Sequence, residues 1–130
     1  MRISVISIFV DDQEKALRFY RDTLGFKVSK DIVVDEEGHR WLTLRSPEQS
    51  QGPELLLEPA AHPAARDFRE ALYRDGMPFT QFEVESVEGE YRRLKEQGVS
   101  FSQEPMDVGE AVIAVLDDTC GNLIQLVEAK

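Results

Sequence analysis

The sequence predicts an α+β fold of two β-α-β-β-β modules. Three observations lead there. First, Val10–Phe26 (VDDQEKALRFYRDTLGF) and Val84–Val99 (VESVEGEYRRLKEQGV) read as one unit written twice. Each has an acidic group after an apolar strand, then an amphipathic helix, then glycine and an apolar residue (Gly25-Phe26, Gly98-Val99). Second, the copies are offset by slightly more than half the chain, as a duplicated module requires. Third, the segments after each helix alternate apolar and polar residues, the period of half-buried strands. A pseudo-symmetric fold of this kind is expected to hold its ligand where the halves meet.

Module one covers 1–59. Residues 3–10 (ISVISIFV) read as a strand buried on both faces. Asp11 or Asp12 caps the following helix. Ala16, Leu17, Phe19, Tyr20 and Leu24 line its core side, and Gly25 suits the position after it. Phe26 to Val34 is a second strand, and the turn 36–39 (EEGH) leads to a third, Arg40 to Arg45. There Leu42 and Leu44 take one face, and Trp41, Thr43 and Arg45 the other. A polar loop precedes a fourth strand, 54–58 (ELLLE).

A connecting segment, 60–77, carries a helix over 64–75. His62-Pro63 opens it, and Phe68 and Leu72 are its expected core pair. Module two, 78–130, repeats the order with strands 79–85, 99–103, 111–117 and 122–128 and a helix over 87–97. The whole chain, 1–130, reads as a single domain.

Composition bounds the function. The net charge is −10 and the isoelectric point about 4.6. Such a surface repels phosphate backbones and anionic membranes and attracts cationic ligands, although an acidic surface also simply maintains solubility. No apolar run approaches the roughly 20 residues that span a bilayer. The start, MRISVISIFVDD, turns acidic too soon for a secretory signal. The single Cys120 fits a reducing compartment, so the expected location is cytoplasmic.

Three strings, FVDDQEKALRFYRDTLGF (9–26), FEVESVEGEYRRLKEQGV (82–99) and AVLDDTCGNLIQLVE (114–128), resemble the vicinal oxygen chelate superfamily. This is the fold of glyoxalases, bleomycin-resistance proteins and extradiol dioxygenases. The resemblance implies that the two modules form a cupped mixed sheet with the helices outside, a cup in which metal-dependent members bind a divalent ion through four side chains, typically His or Gln, Glu, His and Glu. Counting from the matched strings puts those positions at Val5, Leu56 (within one or two residues), Phe79 and Gln125. Three of them have no lone pair for a metal, so the expectation is no metal and no other cofactor.

Strand parity gives the candidate ligand-binding set: Trp41, Thr43, Glu58, Phe79, Gln81, Glu83 and Gln125, all expected to face the cup. Trp41 is either a stacking wall for a planar or cationic ligand or plain packing. Glu58 is either a ligand-pairing acid or general base, or a solvated strand end. His39 and His62 read as exposed or capping residues, Cys120 as structural, and Gly121 and Asn122 as turn formers with positive φ. The acidic clusters 11–12, 35–37 and 117–118 read as solvated. The expected function is metal-independent binding of a small organic molecule by a homodimer, with neither nucleic acid nor membrane as partner. The alternative is a glyoxalase-like lyase or isomerase, or an extradiol-dioxygenase-like enzyme.

Overall fold

In the computed structural model, which describes all residues 1–130, each half of the sequence repeat builds its own open four-stranded mixed sheet. The chain divides into two units, Met1–Arg66 and Asp67–Lys130. No helix is long and apolar enough to cross a membrane.

The first unit holds β1 (Val5–Val10), β2 (Lys27–Val33), β3 (Arg40–Arg45) and β4 (Glu54–Pro59). Their order is β1-β4-β3-β2, with β1 parallel to β4 and the other pairs antiparallel. Between β1 and β2 lies α1 (Gln13–Leu17). Asp12 caps it, accepting from Lys15 N at 2.9 Å. The sequence suggests one regular helix here, but after Leu17 the chain widens into π turns over Arg18–Thr23. Leu24 N bonds to Phe19 O and Phe26 N to Tyr20 O, both at 3.0 Å. This wider winding keeps Ala16, Leu17, Phe19 and Tyr20 all buried on one side. They pack with Ile8, Val10, Leu42, Leu44 and Leu57 as the first core.

Gln13 ties this helix to the sheet. Its Nε2 donates to Arg40 O and Leu57 O, each at 2.7 Å, and its Oε1 accepts from Arg40 N at 3.0 Å. Gln13→Leu should therefore lower unfolding free energy by about 2–4 kcal/mol in urea titrations, because three backbone groups lose their partner. A loss under about 0.5 kcal/mol would mean that water replaces the amide at no cost.

The helix α2 (Pro63–Arg74) runs across the boundary of the two units. His62 Nδ1 accepts from Ala64 N at 3.0 Å, so His62 caps this helix. The second unit repeats the topology with β5 (Thr80–Glu83), α3 (Val87–Glu96), β6 (Phe101–Asp107), β7 (Ala111–Asp117) and β8 (Leu123–Ala129). The strand order is β5-β8-β7-β6, with β5 parallel to β8. Val87, Leu94, Ala114, Leu116, Ile124 and Leu126 form its core. Ser86 caps α3 through Gly89 N, and Glu128 accepts from Val87 N at 2.8 Å.

Several sequence expectations need correction. β1 is not buried on both faces: Ile8 and Val10 are covered, whereas Ser7 is exposed and Ile6 is 44% exposed, because β1 is an edge strand. Phe68 and Leu72 do not form the core pair of α2. Phe68 is exposed and Leu72 half-buried; the buried residue is Arg69, whose Nη1 donates to Cys120 O at 3.1 Å. The strand expected over 99–103 begins at Phe101 and continues through Pro105 to Asp107, with register shifts along it. Proline is tolerated there because β6 is the edge of its sheet.

The turn 117–122 also differs. Asp118 is not solvated but fully buried, and it accepts from Cys120 N, Asn122 N and Asn122 Nδ2. Positive φ falls on Thr119 and Gly121 rather than on Asn122, which serves the turn through its amide. Asp117 is half-buried and accepts from the Tyr73 hydroxyl at 2.5 Å, which raises the Tyr73 pKa.

Candidate functional site

In each sheet the helices cover one face, so the functional question concerns the other. In the first unit, β1 aligns Val5 with Glu54, Ser7 with Leu56 and Phe9 with Glu58. Thr43 aligns with Leu56, and β2 places Lys30 beside Thr43 and Ile32 beside Trp41. Alternation then puts Trp41, Thr43, Glu54, Leu56 and Glu58 together on the helix-free face. Trp41 is 40% exposed. With Val34, His39, Arg40, Leu56, Glu58 and Pro59 it lines a hollow of about 190 Å³. The hollow thus joins an aromatic ring and aliphatic chains to a carboxylate, an imidazole and a guanidinium.

Thr43 lies on this face but is fully buried, and its hydroxyl donates to Glu54 Oε1 at 2.8 Å. Glu54 is itself only 6% exposed. Hydrogen bonds from the Ser29 and Thr43 side chains hold its carboxyl below the ordinary glutamate range against the opposing effect of burial. The charges of Lys30 and Arg45 add to this, with Nζ and Nη2 each 3.9 Å from Oε2. Sequence reasoning gave Glu54 a face but no role. The available signal was its parity with Arg45 and Thr43 on a neighbouring strand.

In the second unit, Gln81 pairs with Gln125, and Gln125 with Val115, which in turn pairs with Gln103. Alternation puts Gln81, Glu83 and Gln125 on the helix-free face, while Phe79 lies just before β5, its N donating to Leu123 O at 2.8 Å. Gln125 Nε2 donates to Gln81 Oε1 at 2.6 Å. The Phe79 ring meets Phe68 edge-on, with centroids 6.2 Å apart. Gln81 and Glu83 are exposed, and Gln125 and Phe79 half-buried. Gln103 joins this amide row; parity could not find it, because β6 shifts register twice.

Of the four positions that the count from the matched strings assigns to metal ligands, Val5, Leu56 and Gln125 fall on the helix-free faces, and Phe79 lies just before β5. Val5 and Leu56 are on the first sheet, Gln125 on the second. Their chemistry does not fit a divalent ion: two aliphatic chains and a phenyl ring donate nothing, and one amide is too few. A different group of donors, Asp35, Glu37 and His39, gathers within 4.8 Å in the exposed β2–β3 turn. Asp35 Oδ1 accepts from Glu37 N and His39 N, and Oδ2 lies 2.7 Å from His39 Nδ1. These bonds account for the turn itself.

Comparison with known proteins agrees with this architecture. YurT of Bacillus subtilis (strain 168) is 51% identical over 128 residues, covering 98% of this chain and 99% of its own. The crystal structure of UcmS2 is 31% identical with a TM-score of 0.84, covering 99% of this chain and 98% of that one. TnmS3 from Streptomyces sp. CB03234, described as an antibiotic binding protein, is 25% identical with a TM-score of 0.78. That alignment covers 100% of this chain and 97% of TnmS3. The family model for the Glyoxalase/Bleomycin resistance protein/Dioxygenase superfamily matches residues 2–126. With the repeated β-α-β-β-β topology and two open mixed sheets, this chain belongs to that superfamily.

Proposed function

We propose that this chain is a metal-independent binding protein for a small organic molecule held against the helix-free faces of its sheets. One observation carries the reading: hydrocarbon replaces donor atoms at Val5, Leu56 and Phe79, while Trp41 and Glu58 share a hollow with Leu56. An apolar concavity with few polar groups is the usual form of a small-molecule site. The antibiotic-binding description of TnmS3 supports the same reading. Trp41, Thr43 and Glu58 on the first sheet, and Phe79, Gln81, Glu83 and Gln125 on the second, are the proposed contact residues. Thr43 acts from beneath, through Glu54. The lyase, isomerase or ring-cleaving alternative would need the metal donors that these positions lack. The proposal includes a cytoplasmic homodimer, since open sheets leave edges that a second copy covers.

Native mass spectrometry of the mildly purified protein tests this. The expected species is a dimer without stoichiometric metal, carrying any co-purified organic molecule. One equivalent of nickel, zinc, iron or manganese held through dialysis would sink the metal-free reading, and monomer alone would remove the dimer.

A further inference from the structure

We propose that the helix-free face of the first sheet selects an elongated planar aromatic acid, with its ring on Trp41 and its anionic group on Lys30 and Arg45. This inference rests on the small-molecule reading above and adds the ligand's class and direction.

The face is polarised along β3. Trp41, Thr43 and Arg45 alternate onto it, so the indole and the guanidinium leave the strand about 13 Å apart. Ile32, beside Trp41 and 55% exposed, widens the apolar end. Lys27 stands beside Arg45 and Lys30 beside Thr43, so the opposite end carries three cations.

Three cations on one face are unexpected in a chain with net charge −10. Elsewhere in this unit Lys15, Arg18, Arg21 and Arg40 each sit within 3.5 Å of a carboxylate, and Arg40 contacts two. Lys30 and Arg45 instead share one acid, Glu54, at 3.9 Å from each, beyond hydrogen-bond length. Glu54 is buried and already accepts from Thr43 at 2.8 Å. One carboxylate therefore holds two cations in place without neutralising both. Their side chains remain 55% and 40% exposed, open to an incoming anion. At the other end Glu58 lies in the hollow with Trp41. Glu58 repels an acid there, and Arg40, which also lines the hollow, is already paired with Glu14 and Asp31, so the ligand's charge is directed toward Arg45.

Biphenyl-4-carboxylate, biphenyl-4-carboxamide and biphenyl-4-ylmethylammonium differ mainly in terminal charge. They would be titrated into the full-length protein by calorimetry and by emission of Trp41, the only tryptophan. The carboxylate should bind at least about tenfold tighter than the carboxamide at low salt, and the advantage should shrink at about 0.5 M salt. It should vanish in the triple variant Lys30→Gln, Arg45→Gln, Glu54→Gln, in which carboxylate and carboxamide should bind about equally. That variant removes the buried acid together with its cations, so no lone charge is left to unfold the sheet. The salt response of the wild-type protein needs no variant at all. Equal binding of carboxylate and carboxamide, or tighter binding of the ammonium, would overturn the inference while leaving small-molecule binding intact. No heat and no change in Trp41 emission with any of the three would remove both.

Discussion

Asp118→Ala is expected to lower unfolding free energy by about 3–5 kcal/mol, the range for breaking a buried charged network by removing one partner. Asp118 is fully buried at the entrance to β8. Its Oδ1 accepts from Cys120 N at 2.7 Å and Asn122 N at 2.9 Å, and its Oδ2 accepts from Asn122 Nδ2 at 2.9 Å. Alanine would remove the buried acceptor shared by two backbone N–H groups and a side-chain amide. Because Asp118 N also bonds to Asn122 O, the turn would loosen just where β7 passes to β8. Urea titration monitored by far-ultraviolet circular dichroism measures the change. Asp118→Asn keeps one carbonyl acceptor but points an NH₂ toward a neighbouring donor, so it should lose roughly half as much. A loss below about 1 kcal/mol for the alanine variant would mean that the turn is held by its backbone alone.

This turn also marks where the sequence stops being legible. The repeat and the strand alternation are local patterns, and they lead to the right fold. Leu42 and Leu44 against Trp41 and Thr43 give the faces of β3, and the register pairs Gln81 with Gln125. What periodicity cannot see is a buried polar group whose partner is remote. Gln13 reaches Leu57 O, 44 residues away, and Arg69 reaches Cys120 O, 51 away. Read alone, each is an ordinary surface residue of an amphipathic helix. Asp118 sits in an acidic pair that looks solvated, yet the fold encloses it. Glu54 is similar, since burial follows from Thr43 beside it on another strand. The π turns after Leu17 arise because Phe19 and Tyr20 must both reach the core, and this is a packing demand rather than a propensity. The metal question divides the same way. Chemistry at Val5, Leu56 and Phe79 is readable residue by residue, whereas the cationic end at Lys30 and Arg45 emerges only with the β2 bulge in place.

Gly121→Ala should be among the most damaging single-atom additions to this protein, with an expected loss of about 3–5 kcal/mol. Two effects combine. Gly121 has φ of 96°, a conformation that a Cβ disfavours by about 1–3 kcal/mol. The added methyl would also lie 1.3 Å from Arg69 Nη1 and 2.6 Å from Cζ. The guanidinium cannot simply turn aside. It is buried, and its Nη1 holds Cys120 O, so displacing it breaks the bond that fastens α2 to this turn. A double-mutant cycle separates the two effects. In an Arg69→Ala background the clash is gone, and the added cost of Gly121→Ala should fall to the backbone part, about 1–3 kcal/mol. Gly98→Ala is the control: φ is 86°, but no atom lies within 4 Å of the added Cβ, so only backbone strain should register. If Gly121→Ala costs no more than Gly98→Ala, Arg69 is not held against the turn. The coupling between α2 and β8 would then have to be sought in the Tyr73–Asp117 hydrogen bond instead.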